Sequence, residues 1–142
     1  AHTPEAVTGL LREARTLASS DGKVSIVLGC GGDRDRAKRP AMGAAAAVGA
    51  DLAVFTTDNP RSEDPAEILT AMLAGVPAHL DVLVEPDRRA AIRHVIAAAQ
   101  PGDVVVIAGK GHEQGQEVAG VVTPFDDRIV VREAIESAGA AP

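Results

Sequence analysis

The stretch VSIVLGCGGDRDRAKRPAMGAAAAVGA, residues 24–50, decides the fold. Residues 24–29 are an almost continuous apolar run ending in glycine, the pattern of a strand buried on both faces. Residues 30–40 are polar and glycine-rich, hence a loop. Residues 41–50 are nearly all Ala, Gly, Val and Met, which suits a helix lying close against a sheet. One strand, one loop and one helix follow each other within a single stretch.

Working outward, the unit recurs. LAVFTT (52–57) reads as a strand, DNPRSEDP (58–65) as a loop and AEILTAMLAG (66–75) as a helix. DVLVEP (81–86) is a further strand, followed by a helix over 87–100 with Ala91, Ile92, Val95 and Ile96 on one face. DVVVIAG (103–109) is the most apolar strand, and KGHEQGQ after it is another glycine-rich loop. Upstream, Thr3, Pro4 and Glu5 form a helix start, and Val7, Leu10, Leu11, Ala14 and Leu17 make its apolar stripe. Downstream, residues 117–125 read as a hairpin around Gly120. Residues 127–138 read as a last helix with Ile129, Val130, Ala134 and Ile135 facing in, although Ile-Val-Val also suits a strand.

This alternation predicts an α/β fold: a Rossmann-like three-layer domain with a mostly parallel sheet of about six strands and helices on both faces. Ligands in such folds bind at the carboxyl ends of the strands. Polar loops follow the strands at 24–29, 52–57 and 103–108, so neighbouring strands would bring all three to one rim.

The totals narrow the function. A chain of 142 residues suits a single domain. It has two Phe, no Trp and no Tyr, so the core is built from Val, Ile, Leu and Ala, and base-stacking platforms are absent. A net charge of −6 argues against general nucleic-acid binding. Cys30 is the only cysteine, which excludes an internal disulfide and fits a reducing, cytoplasmic setting. No apolar run reaches membrane-spanning length, no signal peptide opens the chain, and the start at AHTPEA without Met suits an excised domain.

Each loop has its own chemistry. GCGGDRDRAKR carries Arg34, Arg36, Lys38 and Arg39 on a glycine-rich turn before a helix, which suits an anion. The competing reading is a solvated turn whose arginines pair with Asp33 and Asp35. It is neither a dinucleotide fingerprint nor a Gly-Lys-Ser/Thr phosphate loop. In DNPR, Arg61 can grip a carboxylate bidentately, while Asp58 and the Asn59 amide oxygen can accept from an ammonium. In GKGHEQG, Gly109 and Gly111 allow close backbone approach, Glu113 is an acceptor, and Lys110 and His112 are possible donors or plain loop residues. The His and Cys residues show no metal-ligand spacing, and Cys30 suits a buried small residue. Together the loops suit a ligand with both carboxylate and ammonium groups.

AHTPEA, GCGGDRDRAKRPAMG, TTDNPRSEDP, AGKGHEQGQ and PFDDR, in this order and spacing, resemble the C-terminal domain of the Mur ligases over essentially the whole chain. Within that family they are most similar to the enzymes that add the third residue of the peptidoglycan peptide. The Asp-Asn-Pro-Arg motif there marks addition of meso-diaminopimelate rather than lysine. The resemblance implies an ATP-dependent amide ligase that joins meso-diaminopimelate to UDP-MurNAc-L-Ala-D-Glu through an acyl phosphate. Residues 1–142 would be its amino-acid-binding domain, with the UDP-binding and central ATPase domains elsewhere and no activity in this domain alone. Position by position, Arg34, Asn59, Arg61, Gly109 and Glu113 would contact diaminopimelate. Asp58 and Pro60 would complete the motif and shape its turn, and His2 would lie near the nucleotide. No residue of the chain stands out as a catalytic base. ATP and Mg2+ would be held mainly outside the chain, and the enzyme would be a cytoplasmic monomer without nucleic-acid or membrane partners. Three alternatives remain open on the residues: a lysine-adding ligase, a stand-alone amino-acid-binding module and a dinucleotide-binding domain.

Overall fold

The computed structural model describes the backbone of residues 2–33, 35–110 and 113–140. The elements in chain order are α1 (Pro4–Leu17), β1 (Val24–Leu28), α2 (Arg39–Gly49), β2 (Leu52–Phe55), α3 (Pro65–Leu73), β3 (Leu83–Val84), α4 (Arg88–Ala98), β4 (Val104–Ala108), β5 (Gly115–Val118), β6 (Val121–Pro124) and α5 (Asp127–Ala140). A 3-10 turn, Arg36–Lys38, leads into α2.

The helices start where side chains satisfy their free N–H groups. Thr3 Oγ1 accepts from Ala6 N at 3.1 Å, Asp64 from Ala66 N at 2.9 Å and Asp87 from Ala90 N at 3.2 Å. Pro4 and Pro65 occupy the first helical position, where no N–H is required.

Four strands pair in parallel in the order β3-β2-β1-β4. Leu28 is level with Phe55 on one side and Ala108 on the other, so β1, β2 and β4 end together. Alternate side chains of β1 feed two cores. Val24, Ile26 and Leu28 pack with Val7 and Leu11 of α1, Met42 and Ala46 of α2, and Met72 of α3. Val27 packs on the other face with Ala91, Ile92 and Val95 of α4 and Val130 and Ala134 of α5. Helices thus cover both faces, as a parallel sheet requires. β2 and β3 extend to one side of β1, and α4 carries the chain back to β4 on the other. That reversal makes the edge between β1 and β4 a topological switch point.

Several sequence expectations need correction. The sheet holds four strands rather than about six, because β5 and β6 pair with each other, antiparallel, outside it. Their two-residue turn, Ala119–Gly120, has positive φ at both positions (52° and 81°), the geometry whose twist matches a hairpin. The strand expected over 81–86 is only Leu83–Val84, an exposed edge. Leu10, Leu17, Ile129 and Ile135 face solvent rather than the core. The Ile-Val-Val run is helical: Asp126 Oδ1 caps Arg128 N at 2.9 Å, and the Asp126 carbonyl accepts from Val130 N. No helix among the described residues is long and apolar enough to cross a membrane.

Candidate functional site: a charged cleft at the strand ends

A cleft of about 280 Å³ lies at the carboxyl ends of β1, β2 and β4. Gly31, Asp35, Lys38 and Arg39 line one wall, Asp58, Arg61 and Glu113 line the other, and His2 sits at its margin. Level strand ends put the three loops side by side.

The loops approach through glycine. A Cβ at Gly32 would fall on the Pro60 carbonyl, and one at Gly109, where φ is +101°, on the carbonyl of Gly29. Gly32 N donates to Asn59 O at 2.7 Å, and Arg61 Nη1 returns a bond to Gly32 O at 2.9 Å. Arg61 itself has φ of 53°, a left-handed conformation that side chains disfavour. The hairpin holds it there, because Arg61 N donates to Glu117 O and Arg61 O accepts from Ala119 N. The DNPR segment is therefore a turn, and the turn aims a guanidinium at the cleft.

Its neighbours divide the labour. Asn59 is buried, its Oδ1 taken by Glu117 N at 2.8 Å and its Nδ2 donating to Glu113 Oε2 at 2.7 Å. The amide oxygen expected to meet an ammonium is thus committed to the hairpin. Asp58 is buried at the cleft wall, and its Oδ1 has no hydrogen-bond partner among the described residues. Burial pushes its pKa up, Arg88 opposes that, and Glu113 adds to it. Asp58 and Glu113 thus form an acidic corner in the same wall as Arg61. Pro60 packs behind the turn, its carbonyl against Gly32. Arg34 lies outside the described residues.

Beneath the cleft is a buried charge cluster. Arg88 Nε and Nη2 form two bonds to Asp127, at 2.8 and 2.7 Å, and Arg88 also caps the carbonyls of Thr57 and Ala108. Lys110 is buried, its ammonium held by the carbonyls of Glu113 and Phe125, so it is neither a surface charge nor a donor into the cleft. Burial lowers its pKa. Cys30 is buried too, and burial drives its thiol up to about 12, which keeps it protonated and inert.

Sequence reasoning missed Glu63. Its carboxylate takes Arg39 Nη2 at 2.6 Å and Arg36 Nε at 3.1 Å, while Asp33 turns to Ser62 Oγ at 2.5 Å. Arg36 and Arg39 therefore pair across to the DNPR loop rather than with Asp33 and Asp35. The available signal was charge complementarity: loop 30–40 has four cations against two acids, and loop 58–65 has three acids against one cation.

Residues 1–111 match the sequence model of the Mur ligase, glutamate ligase domain. The chain belongs to the Mur ligase family. The UDP-N-acetylmuramoyl-L-alanyl-D-glutamate--2,6-diaminopimelate ligase of Streptomyces avermitilis is 61% identical over 141 residues, covering 96% of this chain and 28% of its own length. The ligase of the same name from Chromobacterium violaceum is 50% identical over 142 residues, covering all of this chain and 29% of its own. A solved structure of a ligase with that name superimposes with a TM-score of 0.91 at 46% identity, over 99% of this chain and 29% of the other. The Mur ligase domain described here thus spans under a third of the length of these relatives.

Proposed function

We propose that this chain is the amino-acid-binding domain of an ATP-dependent ligase that adds meso-diaminopimelate to UDP-MurNAc-L-Ala-D-Glu in peptidoglycan synthesis, a cytoplasmic reaction. The supporting observation is the cleft itself, whose lining brings the Arg61 guanidinium together with the Asp58 and Glu113 carboxylates. Meso-diaminopimelate has two carboxylates and two amines. Arg61 would take a carboxylate, and the acidic corner an ammonium. Arg34, Asn59 and Gly109 join the proposed contact set on family grounds, with Asn59 also holding Glu113 in place.

Lysine lacks the second carboxylate. With lysine bound, the half-buried Arg61 would lose its partner at a cost of roughly 2–5 kcal/mol, enough for strong discrimination. This favours diaminopimelate over the lysine-adding alternative. The domain's contribution to catalysis is placement. It holds one amine towards the activated carboxylate and fixes the distal end, so that the reaction becomes effectively unimolecular.

The residues of this chain do not suit ATP and Mg2+. The sequence has no Gly-Lys-Ser/Thr loop, and no three His, Cys, Asp or Glu side chains among the described residues come together as metal ligands. Nucleotide chemistry belongs to the remaining length of the full enzyme, with His2 at the cleft margin the nearest candidate contact.

The test is ATP-dependent ligation by the full-length enzyme with meso-diaminopimelate and lysine side by side, for wild type and Arg61→Ala. Preference for diaminopimelate that collapses in the variant supports the reading. Equal use of both amino acids by wild type removes it.

A further inference from the structure

We propose that Glu63 is a positioning residue that sets the width of the cleft and so selects the length of the amino acid it accepts. This rests on the amino-acid-binding reading above. The cleft lies between two loops, which the Gly32–Asn59 and Arg61–Gly32 bonds join at one point and Glu63 ties at another through charge. Its side chain is 5% accessible and is not part of the cleft wall. Oε1 accepts from Arg39 Nη1 at 3.1 Å and is ion-paired with Arg36 Nε at 3.1 Å, and Oε2 accepts from Arg39 Nη2 at 2.6 Å and Asp33 N at 2.5 Å. One carboxylate on the DNPR loop thus gathers three residues of the facing loop.

Arg39 passes this restraint to the cleft. It lines the wall, and its Nη2 also holds Gly31 O at 3.1 Å, so its placement fixes that wall's backbone. Arg61 stands on the other wall, two residues before Glu63. With the loops pinned at Gly32 by Asn59 and Arg61, the spacing of the walls at Arg39 follows the length of the Glu63 side chain. Ser62 and Asp33 close a second bond beside it, but through a short exposed contact. A buried bidentate pair is the stiffer restraint.

The experiment is steady-state kinetics of the full-length enzyme carrying Glu63→Gln or Glu63→Asp, with KM measured separately for meso-diaminopimelate and ATP. Glu63→Gln keeps the shape and loses the charge. Its KM for the amino acid is expected to rise about tenfold or more, with the KM for ATP unchanged within about twofold. Glu63→Asp keeps the charge on a shorter stem and draws the walls together. It is expected to shift kcat/KM towards 2,5-diaminoadipate, one methylene shorter than diaminopimelate, by about tenfold. Unchanged amino-acid KM with a lowered Tm would make Glu63 a structural brace only and overturn the proposal, as would a parallel rise of both KM values. If Glu63→Gln fails to fold, Glu63→Asp decides alone, and unchanged preference between the two diamino diacids overturns it. A wild type that does not use meso-diaminopimelate defeats the amino-acid reading itself. Normal wild-type use with unaffected variants defeats only the role of Glu63.

Discussion

Asn59 Nδ2 meets Glu113 Oε2 at 2.7 Å across 54 positions of sequence. The same amide accepts from Glu117 N at 2.8 Å, so one side chain joins the loop after β2 to both the loop after β4 and the hairpin. A neutral amide can donate to the first and accept from the second at once. Asn59→Asp keeps the acceptor and turns the donor into a second carboxylate against Glu113. One proton is then needed between them, which raises an acid pKa in the folded state. A raised folded pKa gives stability that is present at low pH and lost as pH rises. Asn59→Asp is thus expected to lie close to wild type near pH 4 and to fall behind it by about 2 kcal/mol or more by pH 7. Urea titrations at several pH values check this, and a pH-independent deficit would refute it.

Arg61 separates the turn from its side chain. Its φ of 53° costs a side-chain-bearing residue about 1 kcal/mol relative to glycine. Arg61→Gly is therefore expected to be more stable than Arg61→Ala by about that amount, while both are expected to lose the proposed preference for diaminopimelate over lysine. Thermal melts and competitive ligation measure the two effects independently. Equal stability of the two variants would show that the hairpin imposes no strain on the turn.

The place of the candidate cleft at the strand ends was legible in the sequence, and much of its wiring was not. β1, β2 and β4 announce themselves as apolar runs followed by Gly or Asp, and their level ends follow from parallel pairing. The hairpin around Gly120 was legible as well, but not that it stays outside the main sheet. Helical periodicity gives the direction of the buried face but not its breadth. Leu10 and Leu17 therefore looked like core, although only Val7, Leu11 and Ala14 are buried there. The local sequence around Lys110 reads as a surface loop, and its burial depends on the carbonyl of Phe125, 15 residues on. Glu63 is similar: its meaning lies in Arg39 and Arg36, far off in sequence and adjacent in space.

Acid should unfold the protein through Glu63. Its hydrogen bonds with Arg39 hold its pKa at about 2, against 4.5 for a free carboxyl. A depressed folded pKa gives stability that is complete above the unfolded value and lost as pH falls through the folded one, here between pH 4.5 and about 2. Glu63→Gln removes that slope. Its stability deficit is expected to be largest at neutral pH and to shrink across that window. Chemical denaturation from pH 7 to pH 2 measures it, and a constant deficit would count against an ionic tie.

Arg88 links stability to the charge of the site above it. Its bidentate pair with Asp127 is buried, and it also caps the carbonyls of Thr57, just past β2, and Ala108, the last residue of β4. Asp127→Ala leaves that guanidinium uncompensated and is expected to cost about 3–5 kcal/mol, or roughly 10 °C in Tm. Arg88→Met with Asp127→Leu removes both charges, and the double variant is expected to be more stable than Asp127→Ala alone, though below wild type because the two carbonyls lose their donor. Arg88 is also the nearby cation that opposes the burial-driven rise in the pKa of Asp58. Asp127 pushes that pKa the other way by less, so losing both charges still leaves Asp58 holding its proton to higher pH, a poorer partner for an ammonium. The double variant should therefore bind diaminopimelate weakly at neutral pH and regain affinity as pH rises, on a profile shifted upwards from wild type. Calorimetric titration across pH on the full-length enzyme resolves that shift. An unshifted profile would confine Arg88 to holding the strand ends.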